Sequence, residues 1–250
     1  MLSREPYISN FTDKNKDMFI QDMIREGQSR MREFAPFEED YYQYGRPDAS
    51  FMVSKNGQLY VVLSINALCC TQIGIPTIEK ILIAYDYDFR TRKPQAIGSI
   101  FGFADNEKRY ITNFNVQRNH RGTGVGGYLM HAINEEFNRH FPETNFLCLD
   151  CDKTQDLHNE EKYAHWRFEQ DGMRNGNIQP MKRNERNPLV EQFKALWLQE
   201  YTENVNKNVS PETQRKLSEI AMEIKQSLNV SYDEQQASAR KLQQAIKRVK

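Results

Sequence analysis

The sequence predicts an α/β (α+β) protein: a mixed, mainly antiparallel sheet with helical segments at both ends. Three observations predict it. Short β-rich runs follow one another between residues 51 and 116 with only polar turns between them. A glycine-rich turn at 117–127 then leads into a stretch of helical spacing. Beyond residue 187 the spacing is helical almost to the end. The 250 residues carry 34 Lys+Arg and 34 Asp+Glu, a formal net charge of zero. Holding nucleic-acid phosphates or an anionic membrane takes a basic excess, so the balance speaks against both. The longest apolar stretch, Val61 to Cys70, is interrupted by Ser64 and Asn66 and is too short to cross a bilayer as a helix. The opening MLSREPYISNF has charges and a proline where a signal core would be apolar, so a cytoplasmic protein is expected. The four cysteines, Cys69, Cys70, Cys148 and Cys151, are then read as reduced thiols.

Each element has its own warrant. From Lys14 to Phe34, the residues Phe19, Ile20, Met23, Ile24, Met31 and Phe34 fall on one helical face, and Pro36 ends the run. Glu38, Glu39 and Asp40 with Tyr41, Tyr42 and Tyr44 read as an acidic loop able to attract a cationic substrate, or simply as solvated surface. Asn56–Gly57 between FMVS and QLYVVLSI is a strong hairpin signal. Lys80 to Asp88, Ala96 to Phe103 and Arg109 to Val116 read as further strands of an antiparallel meander. Tyr128 to His140 reads as a helix, Phe146 to Leu149 as a strand, and Glu160 to Gln170 as a helix closed by Gly172. Asn187–Pro188 and Ser210–Pro211 each place a capping residue before a proline at the first helical position. Ser231 with Glu234 reads as a capping box, opening one more helix. The boundaries that follow are 1–50 for an N-terminal helical segment, 51–186 for a core, and 187–250 for a C-terminal helical extension. Those last helices suit a homodimer or partner contact, or packing on the core.

The chemistry concentrates between Val116 and Gly127. Glycines joining a strand to a helix let a ligand approach the backbone, and the free N–H groups at the helix start favour an anion. Gly122, Gly124 and Gly127 spell G-x-G-x-x-G, with Asp150 near the place of a ribose-binding acid. Two features count against a dinucleotide site. Five polar residues, Gln117 to Arg121, separate strand from glycine, and the segment follows a meander rather than opening a parallel βαβ unit.

The same residues spell R-x-x-G-x-G at Arg121, Gly124 and Gly126. That loop, with the order of elements over residues 58–178, resembles the GNAT superfamily of acyl-coenzyme A-dependent N-acyltransferases. The resemblance implies a sheet splayed into a V between two central parallel strands. It implies acetyl-CoA as co-substrate. Val116 would meet the pantetheine arm, and Arg121, Gly122, Thr123, Gly124, Val125 and Gly126 would cradle the pyrophosphate. It further implies acyl transfer to a primary amine of a small molecule or protein, by direct attack in a ternary complex. Relatives commonly place a proton-donating tyrosine four residues before the glycine that ends the helix. Counting back from Gly172, that position is Phe168. His165 and Tyr163, on the same predicted helix, are the nearest substitutes, His165 sharing the face of Phe168 more nearly. Phe168 also admits a different class of protein, a CoA-binding module without catalysis. On the acceptor side, Asp150 and Asp152 share a strand face and are candidates for a base or a cation anchor, with turn capping as the plainer role. Asn113 and Asn115 could orient a water. No metal site is expected, because Cys148-x-x-Cys151 falls on a strand and Cys69–Cys70 are adjacent.

Overall fold

The computed structural model describes residues 13–33, 46–66, 77–152, 154 and 159–249. The acidic run Glu38–Asp40, its tyrosines, Pro36, Cys69 and Cys70 lie outside the described residues. Eight strands form one sheet in the order β1-β2-β3-β4-β5-β6-β8-β7. Strands β1 (Asp48–Val53), β2 (Leu59–Asn66), β3 (Ile78–Asp88), β4 (Lys93–Ala104) and β5 (Arg109–Val116) run as the expected antiparallel meander. Asn56–Gly57 turns the first hairpin: Gly57 takes φ +79, and Ser54 N donates to Gln58 O at 2.7 Å.

Both faces of the meander are covered, so β2 and β3 are buried almost continuously. Alternate residues serve two cores. Leu59, Val61, Leu63 and Ile65 meet helix α1 (Asp13–Glu33) and helix α5 (Pro211–Val249). Tyr60 and Val62 point the other way, with Val125, Leu129, Ile133 and Phe137 of helix α2 (Val125–His140). In α5 the stripe Leu217, Ile220, Ile224 and Leu228 is buried. The helix runs unbroken through Ser231 and Glu234, which therefore do not begin a new one. Ser231 Oγ instead accepts from Gln28 Nε2 of α1 at 2.8 Å, a contact between helices that sequence spacing cannot distinguish from a cap.

Strand β6 (Phe146–Asp152) lies parallel to β5, and β8 (Ile178–Asn184) and β7 (Glu169–Gln170) complete the sheet antiparallel. Here three expectations change. The helix read as Glu160–Gln170 is α3, Asn159–His165, and Glu169–Gln170 belong to a strand. Helix α2 starts at Val125, three residues before Tyr128, because a left-handed Gly124 caps it. Strand β8 had no warrant in the sequence: Ile178–Asn184 is mostly polar, and its buried positions include Gln179 and Arg183.

Those buried polar groups lock the lower end of the sheet. Arg109, 2% exposed, donates to Asn134 Oδ1 at 3.0 Å, Asn138 Oδ1 at 2.9 Å and the carbonyl of Phe141 at 3.1 Å. Asn134 Nδ2 donates to Glu185 Oε2 at 2.9 Å. Glu185 also accepts from Arg183 Nε at 2.5 Å and from Lys194 Nζ at 3.2 Å. The chain of contacts joins β5, α2, β8 and helix α4 (Pro188–Asn208), the last capped by Asn187 as predicted. Burial opposes the charge of Glu185, but Arg183 and Lys194 outweigh it and hold the carboxyl below its ordinary value.

Removing that carboxylate takes the counter-charge from buried Arg183 and from half-buried Lys194. Glu185→Ala is expected to lower unfolding free energy by about 3–5 kcal/mol in urea titrations. A depressed carboxyl contributes stability above its unfolded pKa and loses it as pH falls through the folded one. The gap in stability between wild type and Glu185→Gln should therefore be widest at neutral pH. It should narrow steadily below the ordinary glutamate value of 4.5.

Candidate functional site

Strands β5 and β6 pair over three positions only, Arg109↔Leu147, Tyr110↔Cys148 and Ile111↔Leu149. At that point β5 bulges. Gly102 faces Ile111 and Phe101 faces Asn113, so Thr112 is the extra residue. A bulge bends its own strand and increases its twist. Strand β6 meanwhile stays paired with β8 along its whole length. Thr112–Val116 and Asp150–Asp152 therefore diverge, and a V-shaped gap opens between the two parallel strands.

The glycine loop stands at the open end of this gap. Its first part is fixed. A 3-10 turn at Arg118–His120 buries His120, whose Nδ1 lies 3.1 Å from the Tyr60 hydroxyl. Gln117 N donates to Ile97 O at 2.8 Å. Thr123 Oγ1 donates to the His120 carbonyl at 2.6 Å. The second part is open. Gly122 and Gly124 take φ +78 and +95, where a side chain is strained, and nothing lies within 4 Å of a Cβ on Gly122. Helix α2 has no side-chain cap, so the N–H groups of Val125, Gly126 and Gly127 have neither a capping side chain nor a preceding helical turn to bond. Such a cradle fits a pyrophosphate. Arg121 is exposed and folds back, its Nε donating to the Val116 carbonyl at 3.2 Å.

Helix α3 ends earlier than Gly172. Arg167 has φ +66; its N–H donates to Ala164 O at 2.9 Å, and Phe168 N–H donates to Tyr163 O at 3.0 Å. These two bonds make a Schellman stop with Arg167 in the left-handed place. The apolar contact that accompanies such a stop is also present: Tyr163 and Phe168 rings meet edge to face, 6.0 Å apart. Phe168 is the buried residue after the stop, and Tyr163 stands four residues before Arg167. Gly172, the expected end of the helix, lies beyond β7, and Met173 beside it is 94% exposed. Burial pushes the Tyr163 hydroxyl up to about 12, with the Cys151 thiol adding to it. Trp166 carries its ring to 5.4 Å from Phe114 of β5, beside Gly126.

Asp150 and Tyr163 occupy opposite faces of β6. Tyr163 packs with the α2-side core that holds Cys151, and Asp150 is the exposed neighbour on the other face. The Asp150 carboxylate lies near the Tyr110 hydroxyl of β5, and burial and that carboxylate together keep the hydroxyl above the usual phenol range. Asp152 is taken by its turn, accepting from Thr154 N at 2.8 Å and Thr154 Oγ1 at 2.7 Å. Asn113 and Asn115 are exposed on β5. His165 does not join the others: it is exposed, and its ring lies 6.3 Å from Phe193 of α4. The sequence reading missed Tyr110 and Trp166, which differ from other aromatics only in the partners the fold brings them. Among the described residues no cluster of His, Cys, Asp and Glu is placed to hold a metal ion. No helix there is long and apolar enough to cross a membrane.

No family model and no curated protein sequence matches the chain. Among solved structures it is similar to an acetyltransferase from Streptococcus agalactiae, with 15% identity and a TM-score of 0.35 over 42% of this chain and 66% of that one. It is similar to ElaA of Escherichia coli at 19% identity and a TM-score of 0.34, over 42% and 68%. It is also similar to the PaiA N-acetyltransferase of Thermoplasma acidophilum in complex with coenzyme A, at 12% identity and a TM-score of 0.34, over 42% and 59%. The chain thus spans under two thirds of the PaiA protein. On its own topology the chain is an antiparallel meander leading into a glycine loop, a helix, and a parallel partner strand splayed from the last strand of the meander, the order of elements expected from the sequence resemblance.

Proposed function

We propose that the protein transfers an acyl group, most often acetyl, from coenzyme A to a primary amine by direct attack in a ternary complex. The observation that carries this reading is the gap between β5 and β6 with an uncapped glycine cradle at its open end. Coenzyme A supplies the activated thioester and a leaving thiolate. Val116 and the residues Arg121, Gly122, Thr123, Gly124, Val125 and Gly126 would hold it, the glycines through backbone N–H groups.

Tyr163 is the proton donor in this reading. A phenol pushed up to about 12 is protonated at neutral pH and has a proton to give the departing sulfur. Asp150, near the Tyr110 hydroxyl, binds the acceptor's ammonium and takes up its proton directly or through water. The carboxylate favours a cationic amine, of a small molecule or a protein, at the exposed side of the gap. His165, against α4, has no part. Phe168 admits an inactive CoA-binding module as the alternative; the Schellman stop at Arg167, four residues after Tyr163, supports Tyr163 as the donor and so favours the catalytic reading.

Calorimetric titration with acetyl-CoA should give saturable binding, and its absence from the wild type would overturn the reading. With an amine that turns over, Tyr163→Phe should lower kcat by about 10²-fold or more while leaving the acetyl-CoA Kd unchanged. Equal loss in Kd would make Tyr163 a packing residue.

A further inference from the structure

The hairpin between β1 and β2 lies outside the glycine motif, yet it touches the loop. Lys55 N donates to the Thr123 carbonyl at 2.8 Å. The Lys55 Cγ sits 3.5 Å from where a Cβ on Gly124 would stand. Its side chain therefore passes the left-handed residue that opens α2, and three further bonds lead to the ammonium. Lys55 is exposed, and no carboxylate pairs with it among the described residues.

The other side of the hairpin is braced by α4. Asn204 Nδ2 donates to the Ser54 carbonyl at 2.8 Å, and Val53 N–H donates to the Tyr201 hydroxyl at 3.2 Å. A Cβ on Gly57 would stand 2.9 Å from Asn208 Oδ1, so helix and turn are in close contact. Tyr201 is itself held in place, its ring stacked on Trp197 with centroids 5.4 Å apart and planes 6° from parallel. One short turn is thus bonded to the cradle on one flank and to the C-terminal extension on the other.

We propose that Lys55 is a phosphate-binding residue of the acyl-CoA site, with Asn204 as its positioning residue through Ser54. The proposal rests on the acyl-CoA reading and extends it. The backbone cradle supplies neutral N–H donors, Arg121 is turned back on Val116, and Lys55 adds the cation that a multiply charged phosphate ligand calls for. It also gives the C-terminal helices a task, holding the turn that carries the lysine.

Lys55 contributes to the fold through its backbone N–H, so replacing the side chain leaves that bond intact. Calorimetry should show Lys55→Ala weakening CoA binding about tenfold, with Lys55→Arg restoring most of it and the melting temperature unmoved. Dephospho-CoA, which lacks the ribose phosphate, separates the two phosphate sources. If Lys55→Ala loses as much affinity for it as for CoA, the lysine meets the pyrophosphate; if the loss vanishes, the lysine meets the ribose phosphate. Asn204→Ala should weaken binding a few-fold in the wild type and add nothing to Lys55→Ala, as coupled residues do. Unchanged CoA affinity in Lys55→Ala would overturn the proposal while wild-type binding left the acyl-CoA reading standing. Absence of wild-type binding would overturn both.

Discussion

Everything that resembles a site in this protein depends on two parallel strands parting after three residue pairs. Parallel strands inside a sheet normally stay bonded along their length, because unpaired backbone N–H and C=O groups need partners. Here the separation is enforced from both sides. The bulge at Thr112 bends β5, and the continuous ladder with β8 keeps β6 on its own course. The cost is a row of backbone groups on Thr112–Val116 with no strand beside them on the edge toward β6. That cost makes the gap fit an extended, amide-bearing ligand able to offer the hydrogen bonds that the missing strand would have made, as the pantetheine arm of the proposed co-substrate would.

Such a gap needs a closed end that does not drift. The network through Arg109, Asn134, Glu185, Arg183 and Lys194 meets that need with charge instead of apolar packing. Hydrophobic contacts tolerate sliding, whereas fixed donors and acceptors accept one register. The network also reaches the upper site. Arg183 donates to the Trp166 carbonyl at 3.2 Å and lies over the Phe168 ring, 5.1 Å from its centroid. The turn that ends α3, and with it the placing of Tyr163, is thereby tied to the same charges that close the V.

Much of this was legible in the sequence, and what was not has a common cause. The meander, the hairpin at Asn56–Gly57, the glycine loop and the cap at Asn187 are each encoded by neighbours in the chain, where period and turn chemistry suffice. Strand β8 was missed because its residues face partners distant in sequence: Arg183 and Gln179 are buried by pairing, not by being apolar. Tyr110 and Lys55 were missed for the same reason. Nothing local marks a tyrosine that will lie beside Asp150, or a lysine that will lie beside Gly124. Ser231 erred in the other direction, since its local pattern is that of a cap while its partner is Gln28, 203 residues away.

The displaced stop of α3 shows how one local rule misleads at a site. Glycine is the usual left-handed residue at a helix end because it lacks a Cβ, and Gly172, with φ +90, invited that role. Arg167 takes it instead, at a strain of about 1 kcal/mol for a residue with a side chain. Several contacts offset that strain: the two Schellman bonds, the burial of Phe168, and the Arg183 guanidinium that covers its ring. A residue held in a disfavoured conformation by this many neighbours is over-determined, and over-determined strain gathers where position matters. The group it positions is Tyr163. The same turn that costs conformational energy at Arg167 fixes a buried phenol on the Cys151 face of β6, across the strand from Asp150. The two groups proposed as proton donor and proton acceptor thereby lie against opposite faces of one strand, held apart by the backbone of β6.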